Sequence, residues 1–333
     1  MKPQLEKQLR FCKSLPTIPA IAMHVIDLAG QPDGNISEIA CLIGHDPALT
    51  LKVLKVANSP LYGFRRKTDN LRQALNMLGL NAVISLALSF SLTGALRGVK
   101  QGGFNTEYYW RRSAIAAAAS RCLGTQLGLN RDEELMLAGL LQDVGMLVLS
   151  SVFQVDYGKA IAGTTDHDAV IKAEQITFGA DHAEVGAWQL HQWNLPKYLQ
   201  QIVAASHEFN STKIPSDLSA MANCIVLSGL IADGMLHPDI ESHAVRAAKC
   251  AGEILGLDTN AYRDLIDLIS AILPEISDIF DIKMIDLSQA VALKDQANEL
   301  IMLRHLHMNE EVNQMRRAAE ELSAHSQLLA ACR

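Results

Sequence analysis

The longest apolar run in the chain, Leu135 to Phe153, is interrupted near its centre by Gln142-Asp143. Its length approaches the roughly 17–20 residues that a bilayer-spanning helix needs. An unpaired Asp in the middle of hydrocarbon costs several kcal/mol, however, and Gly139 and Gly145 add nothing to helix strength. The run therefore reads as a segment buried in a folded protein, with an Asp143 that needs a partner for its charge.

The remaining sequence is helical in pattern. Apolar spacing and capping residues mark helices over Pro19–Leu28, Glu38–Ile43 after Ser37, and from Asp46-Pro47 to about Asn58. Further starts are expected at Asp69, Asn81, Thr106, Asn130, Thr165 and Asp181, with Gly79 and Gly179 as stops. Later helices are expected over Lys197–Glu208, Asp217–Ala232, Pro238–Leu255 and Asn260–Ile272. No alternating apolar/polar run flanked by hairpin turns is present. Aromatics make up 5% of the chain, too few for a typical β-sandwich, so the fold class is all-α.

At 333 residues the chain has room for about two domains on a scale of roughly 150 residues each. Gly98, Gly102 and Gly103 mark a break, which divides an N-terminal helical lobe (residues 1–100) from a second lobe (101–283) and a tail (284–333). A net charge of −7 argues against general nucleic-acid binding. Six cysteines lie far apart with no CxxC pair, which removes zinc-ribbon and redox motifs and suits a reducing cytoplasm. The charged start, Met-Lys-Pro-Gln-Leu-Glu, lacks the apolar run of a signal peptide. A cytoplasmic location with no membrane partner is expected.

From Leu287 onward there is neither Pro nor Gly. Positions 287, 291, 294, 298, 301, 305, 308, 312, 315, 319, 322, 326 and 329 step by four and three, and nine of the thirteen are apolar. That is the seam of a coiled coil, and it predicts a parallel homodimer through residues 287–329. The alternative is a long helix packed on its own domain.

Several separated motifs carry the chemical signal. They are Leu15-Pro16-Thr17-Ile18-Pro19, Ile43-Gly44-His45-Asp46-Pro47-Ala48-Leu49-Thr50, Asn58-Ser59-Pro60-Leu61-Tyr62-Gly63 and Ala74 to Gly79. Trp110-Arg111-Arg112-Ser113, Leu141-Gln142-Asp143-Val144-Gly145, Asp181-His182-Ala183-Glu184-Val185-Gly186 and Ser206-His207-Glu208 follow in order. Taken together they resemble the HDOD family, the HD-related output domains of bacterial signalling proteins, from about Phe11 to Phe209.

The resemblance implies a fold shared with the HD phosphohydrolases, in which a His, an His-Asp doublet and further His or Asp residues hold divalent metal. Such a metal lowers the pKa of bound water and clamps phosphate oxygens. Here Arg112 stands at the position resembling the first His, and Gln142 at the doublet's His, beside Asp143. Asn223 and Val226 stand where a final Asp is sought. The site is therefore expected to be degenerate and non-catalytic, with no cofactor and with Arg112 paired to Asp143 in place of a metal. His182 and His207 survive as imidazoles, one in a first helical turn and one at a helix end, both places where exposure is common. Two His and one Asp still permit a residual metal-dependent phosphohydrolase.

Asp166-His167-Asp168 looks like a run of metal ligands, but reads more simply as residues that cap and charge a helix N-terminus after Thr165. Arg65, Arg66 and Lys67 form a basic loop, a candidate for binding phosphate or a partner. The expected role is a regulatory module that binds a protein partner or a small ligand, a nucleotide among the candidates. It would relay the change through the tail, which in this family can lead to an output domain such as GGDEF.

Overall fold

Side-chain caps start seven of the helices among the described residues. Asp46, Asn70, Asn105, Asp166, Asp181, Asp239 and Asp258 each accept a hydrogen bond from the backbone N–H three residues on. A computed structural model describes residues 1–12, 14–29, 36–62, 67–97, 104–164, 166–237 and 239–283, all within one unit spanning Met1–Ile285. The heptad tail belongs to a second unit, Asp286–Arg333, and lies outside the described residues, as do Arg65, Arg66 and the boundary expected near residue 100.

The first helices are α1 (Pro3–Arg10), α2 (Ala20–Ala29), α3 (Ile36–Gly44), α4 (Pro47–Ala57), α5 (Leu71–Leu78) and α6 (Leu80–Leu96). After them come α7 (Thr106–Gln126), α8 (Asp132–Leu141), α9 (Val144–Ile161), α10 (His167–Phe178) and α11 (His182–Gln192). The last are α12 (Lys197–Ala204), α13 (Ser219–Leu236), α14 (Ile240–Leu255) and α15 (Thr259–Phe280). No strand occurs among the described residues, so the chain is all-α.

Several helix starts differ from the sequence reading by one residue. Asn70, Asn105 and Asp166 are the caps at positions where Asp69, Thr106 and Thr165 were expected. Asn130 has a positive φ of 54°, which is incompatible with the extended backbone of an N-cap, and α8 begins two residues later. Asn81 lies inside α6. The helix expected to stop at Ile272 continues through Pro274 to Phe280.

The apolar run is not one helix. It breaks at Gln142-Asp143 into α8 and α9. The stretches Asp132–Ile161 and Ser216–Leu236 are long and apolar enough to cross a membrane by length and composition, yet 94% and 78% of their most apolar windows are buried in the unit's own interior. Packing against α7, α13 and α11 accounts for that hydropathy. Helix α7 is the centre of the unit, with α8, α13 and α15 around it, and its small residues Ala114 and Ala116 to Ala119 let those neighbours approach. Helix α6 packs on α2 and α8, so the first and second groups of helices share one core.

Candidate metal centre

The break between α8 and α9 frees Asp143 from the helical ladder and aims its carboxylate at three elements at once. Helix α7 contributes Arg112, whose guanidinium NH1 is paired with Asp143 Oδ2. Both side chains are almost fully buried. The same guanidinium reaches Asp233 on α13, with Nε 2.8 Å from Oδ1 and NH2 3.3 Å from Oδ2. The expected Arg112–Asp143 pair is present, and Asp233 is a second carboxylate partner that the sequence reading missed.

The acid on α13 is therefore Asp233, not a residue at the Asn223 or Val226 positions. Val226 is buried, and Asn223 ties down the loop after α12: its Oδ1 accepts from the Asn210 N–H at 2.9 Å, and its Nδ2 donates to Asn210 Oδ1 at 2.9 Å. That loop carries His207. Helix α12 stops at Ala204, short of the Glu208 end expected, and this places His207 in the turn beyond it.

Two glycines make room around Asp143 and Arg112. A β-carbon on Gly145 would collide with the carbonyl oxygen of His182 and stand 2.7 Å from the Gly186 nitrogen, so α9 and α11 cross backbone on backbone. A β-carbon on Gly229 would stand 3.1 Å from Arg112 NH2 and 3.3 Å from Gln142 Oε1. Gln142 thus lies beside Arg112, buried, with its Nε2 lacking a hydrogen-bond partner.

Opposite Arg112, three imidazoles converge. His182 Nε2 is 3.1 Å from His167 Nε2 and 2.9 Å from His207 Nε2. Asp143 Oδ1 faces them, 3.6 Å from His182 Nε2 and 3.8 Å from His167 Nε2, distances for ion pairs but too long for hydrogen bonds. His182 is fully buried, contrary to the exposure expected for a first-turn residue, and His207 retains partial exposure. Asp166 does cap α10, but His167 beside it turns inward to the cluster.

His182 is held from behind by Glu174, a residue with no solvent exposure. Its Oε2 lies 2.7 Å from His182 Nδ1 and accepts the His182 backbone N–H at 2.8 Å, while its Oε1 accepts the Tyr157 hydroxyl at 2.7 Å. Neither His167 nor Glu174 was singled out as a site residue in the sequence. The available signal was their spacing of seven, which puts both on one face of α10.

The electrostatics follow from these pairs. Burial alone would raise the Asp143 carboxyl, but Arg112 holds it well below the usual range, with help from His182. Burial would lower His182, but Glu174 and Asp143 push it up to about 10. Desolvation drives His167 well down, with Arg112 acting in the same direction, and desolvation also lowers His207.

Among the described residues, Asp143, His167, His182 and His207 can each offer one donor atom, and all four atoms lie within 4.8 Å of one another. Asp143 Oδ1 is buried without a hydrogen-bond partner, as expected of a donor reserved for something else. The residues present therefore fit a divalent transition ion. A bound ion of that kind can supply a water of lowered pKa or an electrophile for phosphate. Arg112 and Gln142 provide no donor to it. A cavity of about 280 Å³, lined in part by Phe104, Tyr108, Arg112, Asp143 and His167, leads to the cluster.

In an all-helical core, an Asp at a helix break faces imidazoles from α10, α11 and the turn after α12. The HDOD domain profile matches residues 15–209, and the chain belongs to the HDOD family. It is similar in structure to an HDOD domain protein of Geobacter sulfurreducens, at 21% identity and a TM-score of 0.67, covering 83% of this chain and 96% of that one. A Shewanella amazonensis protein provisionally named a phosphohydrolase is 20% identical, with a TM-score of 0.54 over 90% of this chain and 97% of that one. A Treponema pallidum protein is 24% identical over 229 residues, 65% of this chain, and the chain spans 42% of that relative's length.

Proposed function

We propose that the chain is a non-catalytic regulatory module of bacterial signal transduction, one that binds a partner or small ligand and relays the change through its C-terminal helix. The observation that supports this reading is the Arg112 guanidinium lying between Asp143 and Asp233. Two carboxylates flanking one site are what a pair of divalent ions requires to clamp a phosphate. A fixed cation between them offsets part of their charge, occupies the space between them and repels a second metal. The cavity beside Tyr108 and Arg112 is a candidate seat for a small ligand, a nucleotide among the candidates. Exposed Lys67 is the one described residue of the candidate basic loop. The relay rests on the heptad spacing of residues 287–329.

The test is an assay of the full chain for hydrolysis of cyclic dinucleotides and phosphate esters with manganese, iron or zinc. The expected result is no turnover above buffer. A second reading, a residual metal-dependent phosphohydrolase, is favoured by the Asp143, His167, His182 and His207 cluster. Metal-stimulated turnover that Asp143→Ala abolishes would establish it and overturn the first.

A further inference from the structure

We infer that Asp143, His167, His182 and His207 form a closed, mononuclear, zinc-type site in which His167 is the fourth protein ligand, an inference that deepens the non-catalytic reading of this same site. This donor set differs from the one that the HD resemblance implies. Arg112 and Gln142 stand at two of the implied His positions, and His167 lies outside the resembling motifs altogether.

Donor chemistry selects the ion. Three imidazoles and one carboxylate suit zinc and its first-row neighbours and are a poor cage for magnesium or calcium, which take oxygen ligands. Metal–nitrogen bonds of about 2.0–2.1 Å place tetrahedral nitrogens about 3.3 Å apart. The His182–His167 and His182–His207 Nε2 separations are 3.1 and 2.9 Å, so small rotations of the rings open the space for an ion.

The surroundings prepare each donor. Glu174 accepts the Nδ1–H of His182 and leaves Nε2 facing the cluster, the orientation that a carboxylate behind a histidine imposes in metal sites. Tyr157 and the His182 backbone N–H fix Glu174 in turn. Arg112 takes Asp143 Oδ2, so Asp143 has Oδ1 alone to offer and binds through one oxygen. Four protein donors complete a tetrahedral shell and leave no position for an activated water, which is the arrangement of structural rather than catalytic zinc. The cavity that reaches Asp143 and His167 is the path for entry.

The test uses the full chain, stripped with chelator and dialysed against zinc or cobalt chloride. One ion per chain is expected, with cobalt giving the intense visible bands of four-coordination. Glu174→Gln should weaken zinc binding by about 10–100-fold. His167→Gln should weaken it further and turn the cobalt spectrum to the weak bands of higher coordination, with circular dichroism checking that each variant is folded. A wild-type chain that binds no ion, a wild-type spectrum of five- or six-coordinate cobalt, or a folded His167→Gln variant with unchanged affinity and spectrum each overturns the inference. Absence of ion together with absence of hydrolysis removes the site and leaves the non-catalytic reading standing. Hydrolysis by zinc-loaded chain with an open cobalt spectrum removes both.

Discussion

The side chain of Arg112 on α7 crosses the core to Asp233 on α13, Nε to Oδ1 at 2.8 Å, while its other arm holds Asp143. One buried cation thus serves two buried carboxylates. Removing one partner of a buried ion pair typically costs about 3–5 kcal/mol, because it strands charge in a low-dielectric interior. Arg112→Met should lower unfolding free energy by about that amount in urea denaturation. Asp143→Asn and Asp233→Asn added together to Arg112→Met should recover most of it. A single variant as stable as wild type would mean that the carboxylates find another counterion.

The crossing of α9 and α11 should be intolerant of a single methyl group. Gly145→Ala drives a β-carbon into the His182 carbonyl and the Gly186 nitrogen, both backbone atoms that cannot rotate aside. Overpacking of this kind costs about 1–3 kcal/mol, and contact with backbone puts it at the upper end. Gly94, exposed within α6 with open space around its β-position, is the control. Gly94→Ala should stabilise by about 0.5–1 kcal/mol. Thermal melts of the two variants should move in opposite directions.

Tyr157→Phe leaves Glu174 Oε1 buried without its donor. Loss of a hydrogen bond to a charged group costs about 1.5–3 kcal/mol. The same variant should loosen the carboxylate that orients His182. Long-range nitrogen–proton NMR spectra should show a well-defined His182 Nδ1–H in wild type and a broadened one in Tyr157→Phe. An unchanged signal would show that the His182 backbone N–H alone holds Glu174.

The tail should govern association. Residues 1–285 form a unit with its own core, so a chain ending at Ile285 is expected to be a folded monomer. The full chain is expected to dimerise, since each large seam side chain fully buried against a second copy contributes about 1.5–3 kcal/mol. Light scattering at tens of micromolar separates the two. Equal dimerisation of both chains, or a monomeric full chain, removes the coiled-coil relay.

Helix identity was legible wherever local chemistry decides it. Asp46-Pro47 and Asp181 act as caps as read, because a cap hydrogen bond closes within three residues. The break at Gln142-Asp143 was not legible: both flanks are apolar all round, no Pro marks the point, and Gly139 and Gly145 lie inside the flanking helices. Of the five residues read as the degenerate site, Arg112, Gln142, Asp143, His182 and His207, all lie at the centre described. Asp233, His167 and Glu174 were missed, since each looks like an ordinary polar residue at a cap or on an amphipathic helix until the opposing element is in place.

By itself the sequence determined an all-helical chain, its membership in an HD-related family, and the pairing of Arg112 with Asp143, because these follow from local periodicity, motif order and the need to neutralise a buried charge. Only the tertiary structure decided that Asp233 shares the guanidinium and that His167 turns inward to meet His182 and His207. Those contacts join residues far apart in the chain, and their geometry depends on how closely α9 and α11 approach across Gly145, a distance set by packing that no local spacing encodes.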